Sequence, residues 1–216
     1  RDMLQKRGVI SLLGSLVSIL AGFLLGFILL LAINPAHALT GFEDMLLNGA
    51  RDLSKFGKVL YTAAPLLMTG LSVGFAFKTG LFNIGASGQY TVGAFFALTA
   101  AIQFQMPWYV CVLAAMIGGA IWGAIPGFFK AYFNVNEVIA AIMFNWIGLF
   151  AVNMCINNMP IMLANAWGQV ARDRTARLAD ANPAAALPKL GLDSVFGNYM
   201  NIGIFIAVIF AIIAWV

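Results

Sequence analysis

The sequence predicts an all-α polytopic membrane protein with about six transmembrane helices, on the basis of its composition, its apolar runs and its spacing of small residues. Of the 216 residues, 62% are hydrophobic and 9% are charged, and the mean hydropathy is +0.92. Soluble domains carry roughly 25% charged residues, so this chain has too little polar surface to cover a soluble fold. The net charge of +4 is too small and too scattered to indicate a nucleic-acid partner. The lipid bilayer is therefore the expected surrounding.

Six apolar segments are the expected spans. The first, at residues 9–33, is an uninterrupted apolar run that exceeds a hydrocarbon core of about 30 Å. The other five lie at 59–77, 89–104, 110–129, 138–156 and 201–216. The last segment is still apolar where the sequence stops, so we expect the chain to be part of a longer protein.

Two polar connections separate these spans. Residues 34–58 carry charged side chains, and their apolar residues recur at roughly helical spacing, which predicts an amphipathic helix at the membrane interface. Residues 157–200 contain many charged side chains and two dipeptides typical of loops, Asn182-Pro183 and Leu187-Pro188. We expect this stretch to be an extracytoplasmic connection, with a short surface helix at 171–181.

A polar, glycine-rich stretch at residues 75–90 interrupts the apolar pattern between the second and third spans. Its polar and flexible residues are Lys78, Asn83, Gln89, Gly80, Gly85 and Gly88. Such a break is tolerated in a membrane only where it is buried in protein or lines a watery cavity, and transporters build sites from broken helices. We therefore expect a broken-helix region near 78–90 beside a solute path, with Lys78 marking an interface because a lysine at the bilayer centre is costly.

Proline and threonine residues in the second span predict a local distortion. Pro65 removes a helix donor and clashes with the carbonyl of Tyr61, which predicts a kink. Thr62 and Thr69 are placed to bond the backbone groups that the proline frees.

Amide side chains inside the fifth span have two possible roles. Asn145 and Asn153 either join neighbouring helices or contact a solute, and helix joining is slightly favoured. At the start of the same span, Asn136 and Glu137 are candidates for capping the helix, where a carboxylate is stabilised by the macrodipole.

Small residues recur at every fourth position in several spans, which lets another helix approach closely, and two of these stripes are rich in glycine. Gly14, Gly22 and Gly26, with Ser18 between them, form one such stripe, and Gly119, Gly123 and Gly127 form the second. We expect both stripes to serve helix packing.

The residue types needed for catalysis or metal binding are sparse. The chain has a single histidine, His37, which we expect at a helix end or facing solvent. Cys111 and Cys155 lie in apolar runs and predict small buried side chains, with no disulfide or metal site. No phosphate-binding Gly-x4-Gly-Lys-Ser/Thr loop occurs. We therefore expect no catalytic residues and no cofactor in this chain.

Basic residues near the short loops favour a cytoplasmic N-terminus. With that orientation Arg1, Lys6, Arg7, Lys78 and Lys130 lie inside. Seven basic residues then lie outside, so a raw count opposes the assignment. Those seven lie in long connections among acidic residues, and four of them are far from the ends of the spans, where a basic residue has little influence on orientation.

Two ordered motif pairs resemble a known family. Thr62–Gly70 leads into Gly80–Gln89 (GLFNIGASGQ), and Gly123–Lys130 (GAIPGFFK) leads into Asn136–Asn145 (NEVIAAIMFN). Together they resemble the permease subunits of bacterial ABC importers of the simple-sugar, branched-chain amino acid and nucleoside class, nearest to the nucleoside-type members. One departure is Ser87, where relatives usually carry an acidic residue.

The resemblance implies that residues 1–216 are a partial transmembrane permease domain whose C-terminal part is missing. A second permease subunit would complete the pathway, cytoplasmic ATP-binding subunits would use ATP and Mg²⁺, and an extracytoplasmic solute-binding protein would deliver the solute. The location would be the bacterial inner membrane. In this family a coupling segment follows the next span and docks on the ATPase, so a chain ending at Val216 should lack that contact.

The same resemblance implies a solute path for a nucleoside or simple sugar, working by alternating access. We expect the broken region and the fifth span to line it, and Asn136 and Glu137 to lie at its cytoplasmic mouth. The expected pathway residues are Asn83, Gly85, Gly88, Gln89 and Asn145.

Two alternatives remain open at this point. Asn-Pro-Ala occurs at Asn34-Pro35-Ala36 and again at Asn182-Pro183-Ala184, and paired motifs of this kind orient water in water and glycerol channels. Here the second motif lies among charged residues with no apolar half-helix after it, and the first closes the opening span instead of starting a re-entrant one. A non-transporting assembly subunit would explain the glycine stripes but not the polar break.

Overall fold

A computed structural model describes residues 2–163 and 174–215, and this part of the chain is helical throughout its regular segments. The first half contains α1 (Asp2–Ile33), α2 (Ala38–Leu47), α3 (Leu53–Lys78) and α4 (Ala86–Leu98), which continues as a π-helical turn at Thr99–Gln103. The second half contains α5 (Trp108–Phe133), α6 (Glu137–Asn157), α7 (Pro160–Leu163), α8 (Leu178–Ala181), a 3₁₀ turn (Pro183–Ala185), α9 (Asp193–Phe196) and α10 (Gly203–Trp215).

The expected polytopic membrane class is confirmed by the length and composition of these helices. In the described part of the chain, four are long and apolar enough to cross a membrane: Leu12–Ile33 of α1, α3, α5 and α6. The other two expected spans are shorter helices, α4 with its π-helical turn and α10. The second span begins at Leu53 instead of residue 59, because the residues after Asp52 continue directly into its first turn.

Helix α4 lies at the centre of the fold and packs against α5 and α6. Glycines of α4 and α5 make this possible, since they lack the side chains that would separate the helix axes. A Cβ atom added to Gly93 would lie 2.9 Å from the carbonyl oxygen of Ala115, and one added to Gly118 would lie 2.6 Å from Cγ of Phe96. The turn at Thr99–Gln103 is buried at Ala100, Ala101 and Ile102.

The predicted interfacial helix is shorter than expected. Only Ala38–Leu47 is helical before α3, and Arg51 closes the following turn by bonding Glu43 at 2.5 Å and Asp44 at 2.6 Å. His37 is exposed immediately before α2, which confirms its expected position at a helix end.

The expectation for the threonines near Pro65 is wrong. Helix α3 continues through Pro65. The hydroxyl of Thr62 donates to the carbonyls of Lys58 and Val59, and that of Thr69 donates to those of Pro65 and Leu66. Neither reaches the carbonyl of Tyr61, because a threonine hydroxyl bonds the turn that precedes its own residue.

The surface helix expected at 171–181 is also largely wrong within the described residues. Only Leu178–Ala181 is helical, while Arg177 is extended and the N–H of Ala176 donates to the carbonyl of Met162 at 2.8 Å. That long-range bond replaces the local one that a helix would need. Positions 171–173 lie outside the described residues.

The connection after α7 packs across one end of the helices. Asn182 is only 5% exposed, and its amide nitrogen donates to the carbonyls of Ala101 at 2.9 Å and Met106 at 3.0 Å. Farther along, Lys58 of α3 lies over the ring of Tyr199, 5.3 Å from its centroid. The connection therefore holds the ends of α3 and α4 on the face opposite to the break between them.

Candidate functional site

The break between α3 and α4 begins with a glycine turn. Gly80 has a φ of +77°, its N–H donates to Phe77, and the N–H of Leu81 donates to Ala76. This pair of bonds satisfies the last carbonyls of α3 and needs a residue in the left-handed region, which glycine occupies without strain. The helix therefore ends sharply after Lys78, an exposed residue, and the chain turns toward the start of α4.

Asn83 organises the second half of the break. Its Oδ1 accepts the N–H of Gly85 at 2.9 Å, a side-chain turn that leads into α4. Its amide also faces the amide of Gln89, with Asn83 Nδ2 3.4 Å from Gln89 Oε1 and Gln89 Nε2 3.5 Å from Asn83 Oδ1. The structure thus brings these two predicted residues together as a loosely bonded amide pair.

Asn145 of α6 holds the start of α4 in place. Its Oδ1 accepts the N–H of Gly88 at 2.8 Å, and its Nδ2 donates to the carbonyl of Ile84 at 3.0 Å. Both backbone groups belong to the irregular segment or the first turn of α4, where the helix supplies no partner. The helix-joining interpretation of Asn145 is the one that this geometry supports.

Close approach at Gly88 depends on its missing side chain. An added Cβ atom would lie 2.8 Å from Oδ1 and 3.0 Å from Cα of Asn145, and 3.2 Å from Nε1 of Trp122. Gly85 is buried as well, and its added Cβ would lie 3.1 Å from Oδ1 of Asn83. Both glycines therefore let α6 or a polar side chain reach the backbone.

Trp122 is a structural residue that the sequence patterns did not single out. Its indole N–H donates to the carbonyl of Phe144 at 3.2 Å, and its ring lies against Gly88 and Gly148. The available signal was chemical: an indole N–H inside a span needs an acceptor. Trp122 therefore joins α5 to α6 beside the break.

A cleft of about 170 Å³ opens next to the amide pair. Its lining residues come from the break and from α3, α4, α5 and α6: Ala76, Leu81, Phe82, Asn83, Gln89, Gly123, Pro126, Gly127, Lys130, Glu137 and Ala141. Gly123 makes room for the amide of Gln89, because an added Cβ would lie 2.7 Å from its Nε2. Polar groups from separate elements thus converge on one opening.

The turn between α5 and α6 forms the rim of this cleft. Asn134 has a φ of 52° at the end of α5, and Asn136 caps α6 by accepting the N–H of Val138 at 2.9 Å. Lys130 and Glu137 form an ion pair at 2.8 Å. The sequence patterns placed Glu137 at the helix start but missed this partner.

A second groove of about 270 Å³ lies between α4 and α6. Ser87, Thr91, Asn145 and Trp146 contribute to its lining, and none of its lining residues also lines the cleft. The predicted pathway residues therefore face two openings, with Asn83 and Gln89 at one and Asn145 at the other.

The two glycine stripes differ in their surroundings. An added Cβ atom would meet nothing within 4 Å at Gly14, Gly22, Gly26 or Gly127. At Gly119 it would lie 3.5 Å from the carbonyl oxygen of Gln89. Of the six stripe glycines, only Gly119 and Gly123 contact another element of the described chain, and packing at the other four stays a prediction.

The water-channel alternative does not fit the positions of the two Asn-Pro-Ala motifs. The first forms an exposed turn after α1, and the second forms a 3₁₀ turn whose Asn182 amide bonds Ala101 and Met106. The helix that follows the first motif, α2, carries Glu43 and Asp44, and the second motif leads into no longer helix than the 3₁₀ turn itself. In the described residues, no three His, Cys, Asp or Glu side chains converge on a possible metal site.

The fold and this site define a polytopic helical membrane protein. Its irregular segment between α3 and α4 is held by α6 and lies beside a polar cleft. Comparison of sequences gives the family. The chain belongs to the family of branched-chain amino acid transport system permease components, which matches residues 56–216.

Several curated relatives are similar over most of the chain. The guanosine ABC transporter permease protein NupP of Bacillus subtilis is 31% identical over 210 residues, covering 94% of this chain and 57% of that protein. The nucleoside ABC transporter permease protein NupB of Lactococcus lactis is 35% identical over 211 residues, covering 92% and 54%. The glucose ABC transporter permease protein TsgB13 of Haloferax volcanii is 33% identical over 141 residues, covering 61% and 35%.

The chain thus spans about half the length of NupP and NupB. No solved structure matches it.

Proposed function

We propose that this protein is the membrane permease subunit of an ATP-driven importer for a nucleoside or a simple sugar. Family membership supports the permease role, and the names of similar proteins mention guanosine, nucleosides and glucose. The substrate is the part of the proposal that depends on those relatives.

The observation that carries the proposal is the attachment of Asn145 to both Gly88 and Ile84. A helix break inside a membrane is stable only if its backbone groups find partners or water. Here a side chain from another span supplies them, and a polar cleft lies beside the break. Solute sites in transporters are formed by discontinuous helices of this type.

Alternating access would then depend on movement between α6 and the α3–α4 break. The Asn145 bonds make the start of α4 follow α6, whereas the amides of Asn83 and Gln89 are held only by contacts of 3.4–3.5 Å. Those weak contacts leave both amides able to rebond to a passing solute. Asn136 and Glu137 would lie at the cytoplasmic mouth of the solute path, next to the ATP-binding subunits whose hydrolysis of ATP drives the conformational change.

The proposed assembly contains subunits beyond this chain. A second permease subunit would complete the pathway, and NupQ of Bacillus subtilis, also a guanosine permease protein, is 31% identical over 98 residues. Cytoplasmic ATP-binding subunits would bind ATP and Mg²⁺, and an extracytoplasmic solute-binding protein would deliver the solute. We place the protein in the bacterial plasma membrane with its N-terminus in the cytoplasm.

Uptake by the reconstituted assembly tests this proposal. The full-length permease, its partner subunits and the solute-binding protein are placed in vesicles, and uptake of labelled guanosine, uridine, glucose and leucine is measured. We expect ATP-dependent accumulation of a nucleoside or of glucose, and none when the ATP-binding subunit is catalytically inactive. Equilibration without ATP would indicate a passive channel, and absence of all uptake would favour an assembly subunit.

A further inference from the structure

The charged side chains of the cleft neutralise each other. Of the residues that line it, only Lys130 and Glu137 carry charge, and Lys130 Nζ lies 2.8 Å from Glu137 Oε1. Lys78 lies at the same end of the molecule but is exposed and does not line the cleft. The lining therefore presents one cation and one anion in direct contact.

The backbone brings this pair together. Lys130 is in the last turn of α5 and Glu137 is the first residue of α6. The left-handed conformation of Asn134 reverses the chain between them, so that both side chains reach the same rim. Their side chains are 36% and 28% exposed, which leaves the pair accessible to a solute in the cleft.

The other polar side chains of the lining, those of Asn83 and Gln89, are neutral amides. Asn83 and Gln89 face each other through amides, and each nitrogen has a second hydrogen atom that this contact does not use. A solute in the cleft therefore meets amide donors and an internally balanced ion pair. This surface can hydrogen-bond hydroxyl, carbonyl and ring-nitrogen groups but offers no unpaired charge.

We propose that Lys130 and Glu137 determine the charge specificity of the solute path, because their mutual neutralisation favours uncharged polar solutes over phosphorylated ones. This inference rests on the proposed transport function and deepens it. An unpaired lysine at the rim would bind phosphate, whereas an unpaired carboxylate would repel it. Because Glu137 neutralises Lys130, the cleft does not attract nucleoside monophosphates or sugar phosphates. Because Lys130 neutralises Glu137, the cleft also presents no negative charge to a neutral solute.

Inhibition from the cytoplasmic side tests the pair separately from the solute-binding protein. Vesicles with the full-length assembly are loaded with ATP and with either guanosine or guanosine 5′-monophosphate, and the initial rate of labelled guanosine uptake is measured. In the wild type, internal guanosine should inhibit more strongly than the monophosphate. In Glu137→Gln, inhibition by the monophosphate should strengthen relative to inhibition by guanosine, measured as the ratio of the two inhibition constants, by roughly twofold to fivefold. This is the fold-change that corresponds to the interaction energies of exposed ion pairs.

Two further variants complete a double-mutant cycle on Lys130 and Glu137. Lys130→Met should shift the ratio in the opposite direction, and the double variant Lys130→Met/Glu137→Gln, neutral again, should return it to near the wild-type value. Lys78→Met is the matched control, since it removes a cation at the same end without changing the lining. ATP hydrolysis measured in parallel excludes an effect of the monophosphate on the ATP-binding subunit.

The outcomes are distinguishable. An unchanged ratio in Glu137→Gln, a shift that persists in the double variant, or a wild type that neither internal solute inhibits would overturn the role of the pair while uptake itself continues. Failure of the wild type to take up any nucleoside or sugar would instead overturn the transport function.

Discussion

The side-chain oxygen of Asn145 lies 2.8 Å from the backbone nitrogen of Gly88, a residue 57 positions earlier in the chain. The same amide donates to Ile84, so one side chain of α6 holds two backbone groups at the break before α4. The irregular segment is therefore attached to a long membrane helix.

Replacing Asn145 with alanine should destabilise the break and reduce uptake. It removes the two hydrogen bonds that join α6 to Gly88 of α4 and to Ile84 of the break, and side-chain bonds between spans contribute about 0.6–2 kcal/mol each in membrane proteins. We expect the thermal unfolding midpoint of the purified full-length permease to fall and ATP-driven uptake to drop severalfold.

Asn153→Ala is the matched control for this variant. Asn153 lies on the same helix, is exposed, and makes no side-chain hydrogen bond to the described residues. It should leave stability and uptake near the wild-type level. Equal effects of the two substitutions would show that the contact with Gly88 has no special importance.

Gly88→Ala should disturb the same contact from the other side. The added Cβ would lie 2.8 Å from Oδ1 of Asn145, so the helices must separate at a cost of about 1–3 kcal/mol. Gly74→Ala, in a helix position with no atom within 4 Å of the added Cβ, should be neutral or stabilising by up to about 1 kcal/mol. Thermal unfolding of both variants in detergent measures the difference, and a wild-type midpoint for Gly88→Ala would contradict the packing argument.

The sequence predicted the membrane class and the helix break because both follow from local composition. Long apolar runs have few other stable arrangements, and the glycines and amides at 80–89 are incompatible with a plain membrane helix. The cap by Asn136 was also predictable, since its hydrogen bond to Val138 is local.

The contacts between distant elements could not be predicted in the same way. Glu137 was expected at a helix start, but its partner Lys130 depends on the left-handed turn at Asn134. The sequence singled out Asn182 as part of a loop signal and of a repeated tripeptide, whereas its bonds to Ala101 and Met106 require the folded connection. No periodicity encodes such pairings.

Asn182→Ala should loosen the connection that follows α7. The substitution removes the amide donor from the carbonyl of the buried Ala101 and from that of Met106, which keeps only a 3.5 Å contact with Sγ of Cys111, at a cost of about 1–3 kcal/mol. We expect faster trypsin cleavage at the exposed residues Arg174, Arg177 and Lys189 in the intact permease. Asn158→Ala, which among the described residues loses only a side-chain bond to Met154 of the preceding helix, is the control. Equal cleavage rates in both variants would argue against the anchoring role.

Cysteine labelling should place Lys78 and Lys189 on opposite sides of the membrane. Lys78 ends α3 beside the break, whereas Lys189 belongs to the connection that packs on the other end of the helices, and both are exposed. In a background with Cys111 and Cys155 replaced by alanine, a membrane-impermeant maleimide added to intact cells should label Lys189→Cys but label Lys78→Cys only after permeabilisation. This follows because positive residues in short loops favour the cytoplasm. Labelling of Lys78→Cys alone would reverse the orientation, and labelling of both would contradict the arrangement of the two ends.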